Sequence, residues 1–393
     1  MARESRESFM KKKMIALALS AVFAVPALAQ SSITLYGVID EGVNYTNNAG
    51  DKSAYQLQSG YAQGSRWGLK GSEDLGSGLK AIFDLENGFD VNSGAFGQGG
   101  RMFGRQAFVG LTASNYGTIT FGRQYDSVVD YLAQATANGS WGGYLLSHPY
   151  DNDNTDNSFR VNNTVKYTSP EIYGLQFGGT YSFSNDIGFA NNRQYSLGGQ
   201  YTNGGLLVVA SYLQASNAGL TTGGAIATDD ANFASESLRI FGGGLNYTFG
   251  AATVGFVYTN TNVGEPSATD TSVYVGTITA PNGGIITAIK FQNFEVNGKY
   301  QLTPALFIGA QYVYTEGTMD ATSGNENPKY HTFGLMADYN LSKRTDFYFQ
   351  AAYQKVAGDK TDTILDDAYI PGAAGVSSTS NQFAFRAAIR HKF

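Results

Sequence analysis

Cysteine is absent from the 393 residues of the chain, and proline is scarce, with eight residues. The lack of cysteine excludes disulfides, thiolate metal ligands and a thiol nucleophile. Beyond residue 29, no apolar run approaches the roughly 18 residues that a membrane-spanning helix requires. The chain does have 49 glycines, 26 tyrosines and 25 phenylalanines, a composition that favours strands with aromatic interfaces over helices.

The N-terminus has the pattern of a secretory signal. Lys11, Lys12 and Lys13 precede an apolar run from Met14 to Val25, and the small residues Ala27 and Ala29 follow. We predict a signal peptide with an N-terminal extension over residues 1–29 and one mature domain over residues 30–393. An exported chain without an apolar helix is periplasmic, secreted or a membrane barrel. The net charge of −6 disfavours nucleic acid as a partner.

Alternation of apolar and polar residues with period two recurs along the chain. It is clear in Leu175–Phe183, Phe294–Leu302, Phe333–Leu341 and the last residues, Phe383–Phe393. Successive side chains of a strand point to opposite faces of a sheet, and about nine residues suffice for a tilted strand to cross a bilayer. From Ile33–Tyr45 onward, we predict about sixteen such strands.

The predicted connections alternate between short and long. Short joints fall at residues 203–205, 250–251, 303–304 and 342–345, and long polar segments at 46–64, 88–104, 125–158, 214–238, 260–292, 316–328 and 356–380. This pattern is typical of a closed transmembrane antiparallel β-barrel with short periplasmic turns and long extracellular loops. Closure pairs the last strand with the first and places the terminal Phe393 at an interfacial aromatic girdle. A soluble sandwich or solenoid would need a second layer to cover the apolar face, and no segment is evident to supply it.

Several longer stretches resemble a known family. They are SSITLYGVIDEG (31–42), SRWGLKGSEDLGSGLKAIFDLENGF (65–89), RQAFVGLTASNYGTITFGRQYD (105–126), VNNTVKYTSPEIYGLQFGG (161–179) and the terminal Phe393. Together they resemble the general diffusion porins of β-proteobacterial outer membranes, the Gram-negative porins. The resemblance implies a sixteen-stranded barrel in the outer membrane, usually a homotrimer, with its third long loop folded into the lumen. It also implies a water-filled pore for passive passage of ions and small hydrophilic solutes, contact with outer-membrane lipid, and no cofactor.

Strand parity predicts which charges line the pore. If Trp67, Leu69, Phe83 and Leu85 face lipid, the lumen receives Arg66, Lys70, Lys80, Asp84 and Glu86, and Arg386 and Arg390 complete a largely basic wall. The segment 125–158 corresponds to the family's constriction loop, and its early acids would face that wall. Charges at the narrowest part set selectivity. We predict that the constriction contains Arg66, Lys70, Lys80, Arg105, Arg123, Arg160, Asp126 and Asp130.

Three residues do not fit this parity. Arg105 shares parity with Val109, and Arg123 shares it with Phe121, both on the expected lipid face. Either a bulge intervenes, or these arginines lie beyond the lipid band. Glu41 shares parity with Ile39, and because a carboxylate in lipid is costly, we predict that it faces a neighbouring subunit.

Other functions are less well supported. A barrel enzyme needs a base beside a nucleophile or an activated water, but His148, His331 and His391 are scattered. We therefore predict incidental histidines, no catalytic residue and no enzyme. The stretch DNDNTD (151–156) lacks the glycine and glutamate of a calcium loop, so we predict a solvated loop and no metal.

A substrate-specific channel for a sugar or an organic acid is the alternative to a general pore. Such channels often carry a row of aromatic side chains along which the solute moves. Tyr125, Tyr131, Trp141 and Tyr144 could form one in the third loop.

Overall fold

A single antiparallel sheet forms the molecule. The computed structural model describes residues 32–269, 271, 272 and 274–393, so the predicted signal peptide lies outside the described residues. The strand segments are β1 (Ser32–Ala49), β2 (Lys52–Ser59), β3 (Arg66–Gly76), β4 (Leu79–Gly88), β5 (Gln106–Ala113), β6 (Gly117–Gln124), β7 (Val161–Thr168), β8 (Leu175–Ser182), β9 (Gln194–Asn203), β10 (Leu206–Ala218), β11 (Ser235–Phe249), β12 (Ala252–Pro266), β13 (Ile286–Thr303), β14 (Leu306–Ala321), β15 (Gly324–Glu326), β16 (Pro328–Asn340), β17 (Thr345–Gly358) and β18 (Asn381–Lys392).

In the part of the chain that the structure describes, helical segments are short and lie in the connections. One four-residue helix, α1 (Ser127–Asp130), is followed by helical turns at Leu132–Ala135, Asn138–Gly142, Tyr144–Leu146, Pro149–Asp151, Pro281–Gly283 and Ile364–Asp366. Within the described residues, no helix is both long enough and apolar enough to span a membrane.

The described strand segments occupy sixteen positions around the wall. One half of β1 pairs with β2, with Glu41 opposite Ser59, and the other half pairs with β3, with Val38 opposite Arg66. Segments β2 and β3 are therefore two parts of one wall strand, interrupted at residues 60–65. In the same way β15 and β16 both pair with β14. The prediction of about sixteen strands in a closed antiparallel barrel is confirmed.

The barrel closes between its first and last strands. β18 pairs with β1 from Lys392 opposite Val38 to Ala384 opposite Thr46. The terminal Phe393 extends this ladder, because its backbone N–H donates to the Gly37 carbonyl at 3.0 Å and its carbonyl accepts from the Gly37 N–H at 3.0 Å. Its ring lies 2.3 Å from where a Cβ of Gly37 would stand, so only glycine fits there. The last residue therefore completes the seam.

The predicted short joints are tight turns, while the predicted long loops are partly strand. Gly204 and Gly250 have positive φ angles of 58° each at two of these turns. At the other end, β2 (Lys52–Ser59) lies within the segment predicted as a loop at 46–64, and β10, β12, β13 and β14 extend into other predicted loops. Along these extensions the alternation is reversed: on β13 the inward Ile289 and Phe291 are apolar and buried, while the outward Lys290 and Gln292 are polar, so the hydrogen-bonded ladder continues beyond the lipid-facing apolar pattern.

The outer face of the wall is apolar. Leu197, Val296, Leu335 and Phe349 point outward and are 66%, 57%, 57% and 53% exposed. The alternate residues point inward and are polar, among them Asn293, Glu295 and Asn297 on β13. A continuous apolar band of this extent suits lipid rather than water.

Hydrophobic packing inside the barrel is confined to one side of the lumen. Val128, Leu132 and Tyr150 of the third long loop pack against inward residues of the wall such as Leu213 and Phe291. A second group places Leu145 and Leu146 against Met336, Tyr348 and neighbouring side chains. The loop thus covers the inner wall from β8 and β9, where Tyr131 packs against Gly178 and Gly198, round to β17, and it leaves the opposite side, β3 to β7, to face the water path.

The seam at Phe393 leads to a prediction about folding. Deleting Phe393 should reduce the fraction of chain that refolds in detergent severalfold, because an unpaired backbone group in hydrocarbon costs several kcal/mol. Heat-modifiable mobility on SDS gels measures the folded fraction. The control Phe393→Tyr keeps the backbone bonds and an aromatic ring, and should refold like the wild type. Equal refolding of the deletion variant would contradict this role.

Candidate pore constriction

The third long loop, Tyr125–Ser158, is called the inward loop below. Asp126 caps α1, accepting hydrogen bonds from the backbone N–H groups of Val128 at 2.7 Å and Val129 at 3.4 Å. The same carboxylate accepts from the Asn154 side-chain amide at 2.9 Å. Asp126 is fully buried and joins the beginning of the loop to its end. The prediction that Asp126 faces the basic wall is therefore wrong.

Glycines on the inner wall give the inward loop room to lie flat. Trp141 comes within 2.6 Å of where a Cβ of Gly309 would stand, and Leu146 within 2.7 Å of that position at Gly334. Any larger residue at either position would push the loop away from the wall. These strand glycines mark a close approach of two segments.

A buried histidine anchors the inward loop to the barrel. His148 Nδ1 lies 2.6 Å from Asp153 Oδ2 of the same loop, and Nε2 lies 2.8 Å from Glu295 Oε2 of β13. Glu295 also accepts the Ala137 N–H at 2.7 Å. Burial alone would lower the pKa of His148, but the Asp153 and Glu295 carboxylates outweigh burial and raise this pKa to about 10. The prediction that His148 is incidental is therefore wrong. His148 is a charged attachment point.

Two arginines share one carboxylate at the opposite wall. Arg66 Nε lies 3.3 Å from Glu86 Oε2, and Arg105 Nε lies 2.8 Å from Glu86 Oε1. Arg105 also donates to the Tyr125 hydroxyl at 3.1 Å, which joins this cluster to the start of the inward loop.

A third arginine joins the cluster without an acidic partner. The Arg160 guanidinium lies 5.9 Å from the centroid of the Tyr125 ring and donates to the Ser158 carbonyl at 3.3 Å. Among the described residues, no carboxylate lies within ion-pair distance of Arg160. Burial, and then the nearby Arg105, lower the pKa of Arg160 to about 10, which leaves it charged at neutral pH.

The arginines line a polar cavity of about 630 Å³ between the basic wall and the inward loop. Across it from Arg66, Arg105 and Arg160 lie Gln134 and Asn138 of the inward loop. Three further acids, Asp156, Asp229 and Asp230, also line this space. A solute that crosses the barrel between the loop and the wall passes these side chains.

The other residues predicted at the constriction lie elsewhere or are paired. Lys70 stacks over Tyr36, and Lys80 stands beside the tight turn at Ser77–Gly78; neither lines the cavity. Asp130 forms an ion pair with Lys166 at 2.5 Å.

The predicted basic wall is also largely neutralised. Arg386 is fully buried and bonds to Asp40 at 2.9 Å, and Arg390 lies 3.1 Å from both Asp338 and Asp346. A charged side chain that points into the lumen is therefore not always unpaired.

Arg105 and Arg123, which do not fit the strand parity, deviate from it for different reasons. Arg105 precedes β5, so the alternation of that strand does not apply to it. Arg123 lies within β6, but the pairing of β6 with β7 shifts register between Gly122 and Gln124, and its side chain turns inward to the Gly104 carbonyl at 2.7 Å. A bulge therefore redirects Arg123.

Sequence reasoning missed several residues of the site. Glu86 was placed in the lumen, but nothing indicated that it holds two arginines. Asp229 and Asp230 lie in a long loop far along the chain from their partners. The stretch Asp151–Asp156, predicted to be solvated, is mostly buried and bonded within the inward loop. No local motif marks any of these contacts.

Comparison with known proteins identifies the family. Residues 16–359 match the Gram-negative porins. The chain belongs to this family. The porin is 35% identical over 384 residues to an outer membrane porin protein of Bordetella pertussis. The alignment covers 88% of this chain and 94% of that relative. It is 32% identical over 400 residues to outer membrane porin protein 32 of Delftia acidovorans. That alignment covers 98% of this chain and 100% of the relative.

A solved structure supports the same conclusion. The anion-selective porin from Comamonas acidovorans aligns with a TM-score of 0.69 and 26% identity, over 92% of this chain and 100% of that one. The resemblance drawn from the sequence is confirmed, and the porin is a diffusion channel of the Gram-negative outer membrane. It is not an enzyme, since the family consists of channels.

The remaining histidines make local contacts. His331 bonds to the Tyr312 hydroxyl at 2.8 Å, and His391 bonds to the Thr345 hydroxyl at 2.8 Å. Within the part of the chain that the structure describes, no group of histidine and acidic side chains could hold a metal ion.

The His148 attachment predicts a stability difference. Replacing His148 by leucine leaves Asp153 and Glu295 buried without a counter-charge, a change that costs about 3–5 kcal/mol. The inward loop should loosen, seen as noisier single-channel currents and faster proteolysis within residues 125–158. The control His331→Leu removes a half-buried histidine from the wall and should leave both measurements unchanged.

The same contact also predicts a pH dependence. The pKa of His148 is raised from about 6.5 to about 10 on folding, so its contribution is complete below pH 6.5 and is lost as pH rises through about 10. The difference in thermal stability between wild type and His148→Leu should therefore shrink progressively from about pH 6.5 to about pH 10 and be smallest above pH 10. A difference that stayed constant from pH 7 to pH 11 would contradict the charged pairing.

Proposed function

We propose that this porin is a general diffusion channel that prefers small anions. The observation that carries the proposal is the unpaired Arg160 beside Arg66 and Arg105, two arginines that share only Glu86. Asp229 and Asp230 of the same cavity are paired with Arg101 and Arg123, so even with Asp156 fully ionised five arginines stand against four carboxylates, the fourth being Glu86. Net positive charge at a narrow passage lowers the energy of an anion there and raises that of a cation.

A relative supports the same ion preference. The structurally similar porin from Comamonas acidovorans, 26% identical, is described as anion-selective. We extend that preference to the present porin because its arginine cluster supplies a physical cause.

The aromatic residues favour a general channel over a solute-specific one. Tyr131 and Trp141, which could have formed part of an aromatic row, are buried against the wall at Gly198 and Gly309. Tyr125 is engaged with Arg105 and Glu86. Of the four residues considered, Tyr144 alone lines the cavity, so these four do not form a row. Tyr61 and Tyr274 also line the cavity, but Tyr61 packs edge-on against Tyr144 and Tyr274 is bonded to Ser158.

Neutralising the arginines should lower the preference for anions. A unit charge about 8 Å from an ion contributes about 0.5 kcal/mol in water, and salt screening over one Debye length reduces this to about 0.2 kcal/mol. The energies of an anion and a cation change in opposite directions, so the ratio of their permeabilities changes by a factor of about 2. Arg66→Gln and Arg160→Gln should each lower the anion-to-cation permeability ratio by about that factor, measured as reversal potential in a planar bilayer under a KCl gradient.

Lys80→Gln is the matched control for these variants. It removes one positive charge at the turn end of the barrel, away from the cavity, and should leave the ratio unchanged. Unchanged ratios in both arginine variants would refute the assignment of the constriction. A wild-type ratio below one would refute the anion preference.

We also propose that the porin assembles as a homotrimer, as the family resemblance implies. Glu41 supports a subunit contact on β1, because it points outward between Ile39 and Val43. One carboxylate oxygen accepts the Gly42 N–H at 3.2 Å, and the other is buried without a hydrogen-bond partner among the described residues. A carboxylate on this outward face is costly in lipid, and polar groups of a neighbouring subunit would stabilise it.

Replacing Glu41 tests this contact. Glu41→Leu should weaken the trimer, because it removes the acceptor for a neighbour's donor, while Glu41→Gln keeps one acceptor oxygen and should have a smaller effect. The measurement is the temperature at which native-gel bands convert from trimer to monomer in detergent. If both variants convert at the wild-type temperature, the contact lies elsewhere.

A further inference from the structure

The loop between β10 and β11, residues 219–234 and called loop five below, is fastened into the mouth of the barrel. The Ala225 carbonyl accepts the Asn162 N–H at 2.9 Å, and the Ile226 N–H donates to the Asn192 side chain at 2.9 Å. Asn232 donates to the Asp151 carbonyl of the inward loop at 2.6 Å. Ala225 and Ile226 are fully buried. Loop five is therefore held against both the wall and the inward loop.

Loop five carries two adjacent acids to the basic side of the mouth. Asp230 forms a two-pronged ion pair with Arg123, with Oδ2 2.5 Å from Nη1 and Oδ1 3.0 Å from Nη2. Its side chain is 2% exposed and that of Arg123 is 8% exposed. Asp229 pairs with Arg101 at 2.7 Å, but there the side chains are 46% and 28% exposed. Arg101 Nη1 also lies 3.9 Å from Asp230.

Arg123 has no free capacity beyond this pair. Its Nε donates to the Gly104 carbonyl at 2.7 Å, and its Nη1 also reaches the Asn162 side-chain oxygen at 2.6 Å. A bidentate guanidinium–carboxylate pair behaves as a small dipole, whose field falls off faster than that of a single charge. An ion in the cavity that Asp230 lines therefore experiences little net charge from Arg123.

We propose that Asp230 is a specificity-determining residue of the channel. It masks Arg123, so that ion preference at the mouth depends on Arg66, Arg105 and Arg160 alone. Loop five then acts beside the inward loop as a second part of the selectivity filter, and it supplies the acidic charge that sequence reasoning had assigned to Asp126 and Asp130. The inference rests on the proposed constriction, but it does not depend on which ion the wild type prefers.

Removing either partner should expose the charge of the other. Asp230→Asn leaves Arg123 unmasked and should raise the anion-to-cation permeability ratio by about twofold, the effect of one unit charge at about 8 Å. Arg123→Gln leaves Asp230 unmasked and should lower the ratio by a similar factor. The double variant Asp230→Asn with Arg123→Gln should return to the wild-type ratio. Reversal potentials in planar bilayers measure all three.

Asp320→Asn is the matched control, because it removes the acid of an ion pair, with Lys290 at 2.5 Å, that does not line the cavity. Its charge lies outside the passage and is screened by salt, so the ratio should stay at the wild-type value. Heat-modifiable gel mobility verifies that each variant folds. Because the double variant carries no unpaired charge, it remains informative if a single variant folds poorly.

Two results would overturn the proposal. If Asp230→Asn and Arg123→Gln shifted the ratio in the same direction, the pair would not act through mutual masking. If Asp230→Asn raised single-channel conductance for both ions without changing the ratio, loop five would act as a steric strap and not as a charge. A failed anion preference, by contrast, appears in the wild-type ratio and leaves the opposite shifts of the two variants intact.

Discussion

Backbone pairing between β1 and β18 is the constraint on which the rest of this porin depends. Hydrocarbon offers no partner for a free N–H or carbonyl group, so a sheet is stable in lipid only when its edges meet. The reciprocal bonds between Gly37 and Phe393 place the chain terminus inside that seam. Once the ladder is closed, each wall residue faces either lipid or the interior, and polar side chains can accumulate on one face without destabilising the other.

The interior is divided by where its hydrophobic packing lies. The inward loop covers the wall from β8 to β17, with Leu132, Leu145 and their neighbours forming a core inside the barrel. His148 adds a buried charge-paired attachment to β13. The water path lies along the opposite side of the lumen, where Arg66, Arg105 and Arg160 lie. The asymmetry of the pore therefore follows from the same contacts that keep the loop in place.

Charge in this lumen is governed by pairing more than by number. Arg386, Arg390 and Arg123 are inside the barrel, yet each has carboxylate partners at about 3 Å or closer. Arg160 has none among the described residues and is the clearest source of net field. A list of lumen residues would rank these arginines equally, and only their partners distinguish them.

The alternation of residues was sufficient to predict the barrel. The strands and tight turns follow from the period-two alternation, which is a local rule. The closing role of the last strand follows from the requirement that the hydrogen-bonded ladder has no free edge in lipid. Neither rule requires knowing which side chains contact one another. The predicted loops were too long, because strands such as β10 and β13 continue beyond the lipid band, where the outward side chains become polar and the lipid-facing apolar signal disappears.

What the sequence determined by itself is the face on which wall residues lie wherever the alternation is unbroken by a bulge, and with it the barrel, the lipid band and the polar lumen. What only the tertiary structure decided is which charges remain free. The partners that decide this are far apart in the chain, with Arg123 and Asp230 separated by 107 residues and Asp40 and Arg386 by 346. Periodicity specifies the direction of a side chain but not its neighbour, which depends on strand register and on how the long loops fold into the lumen.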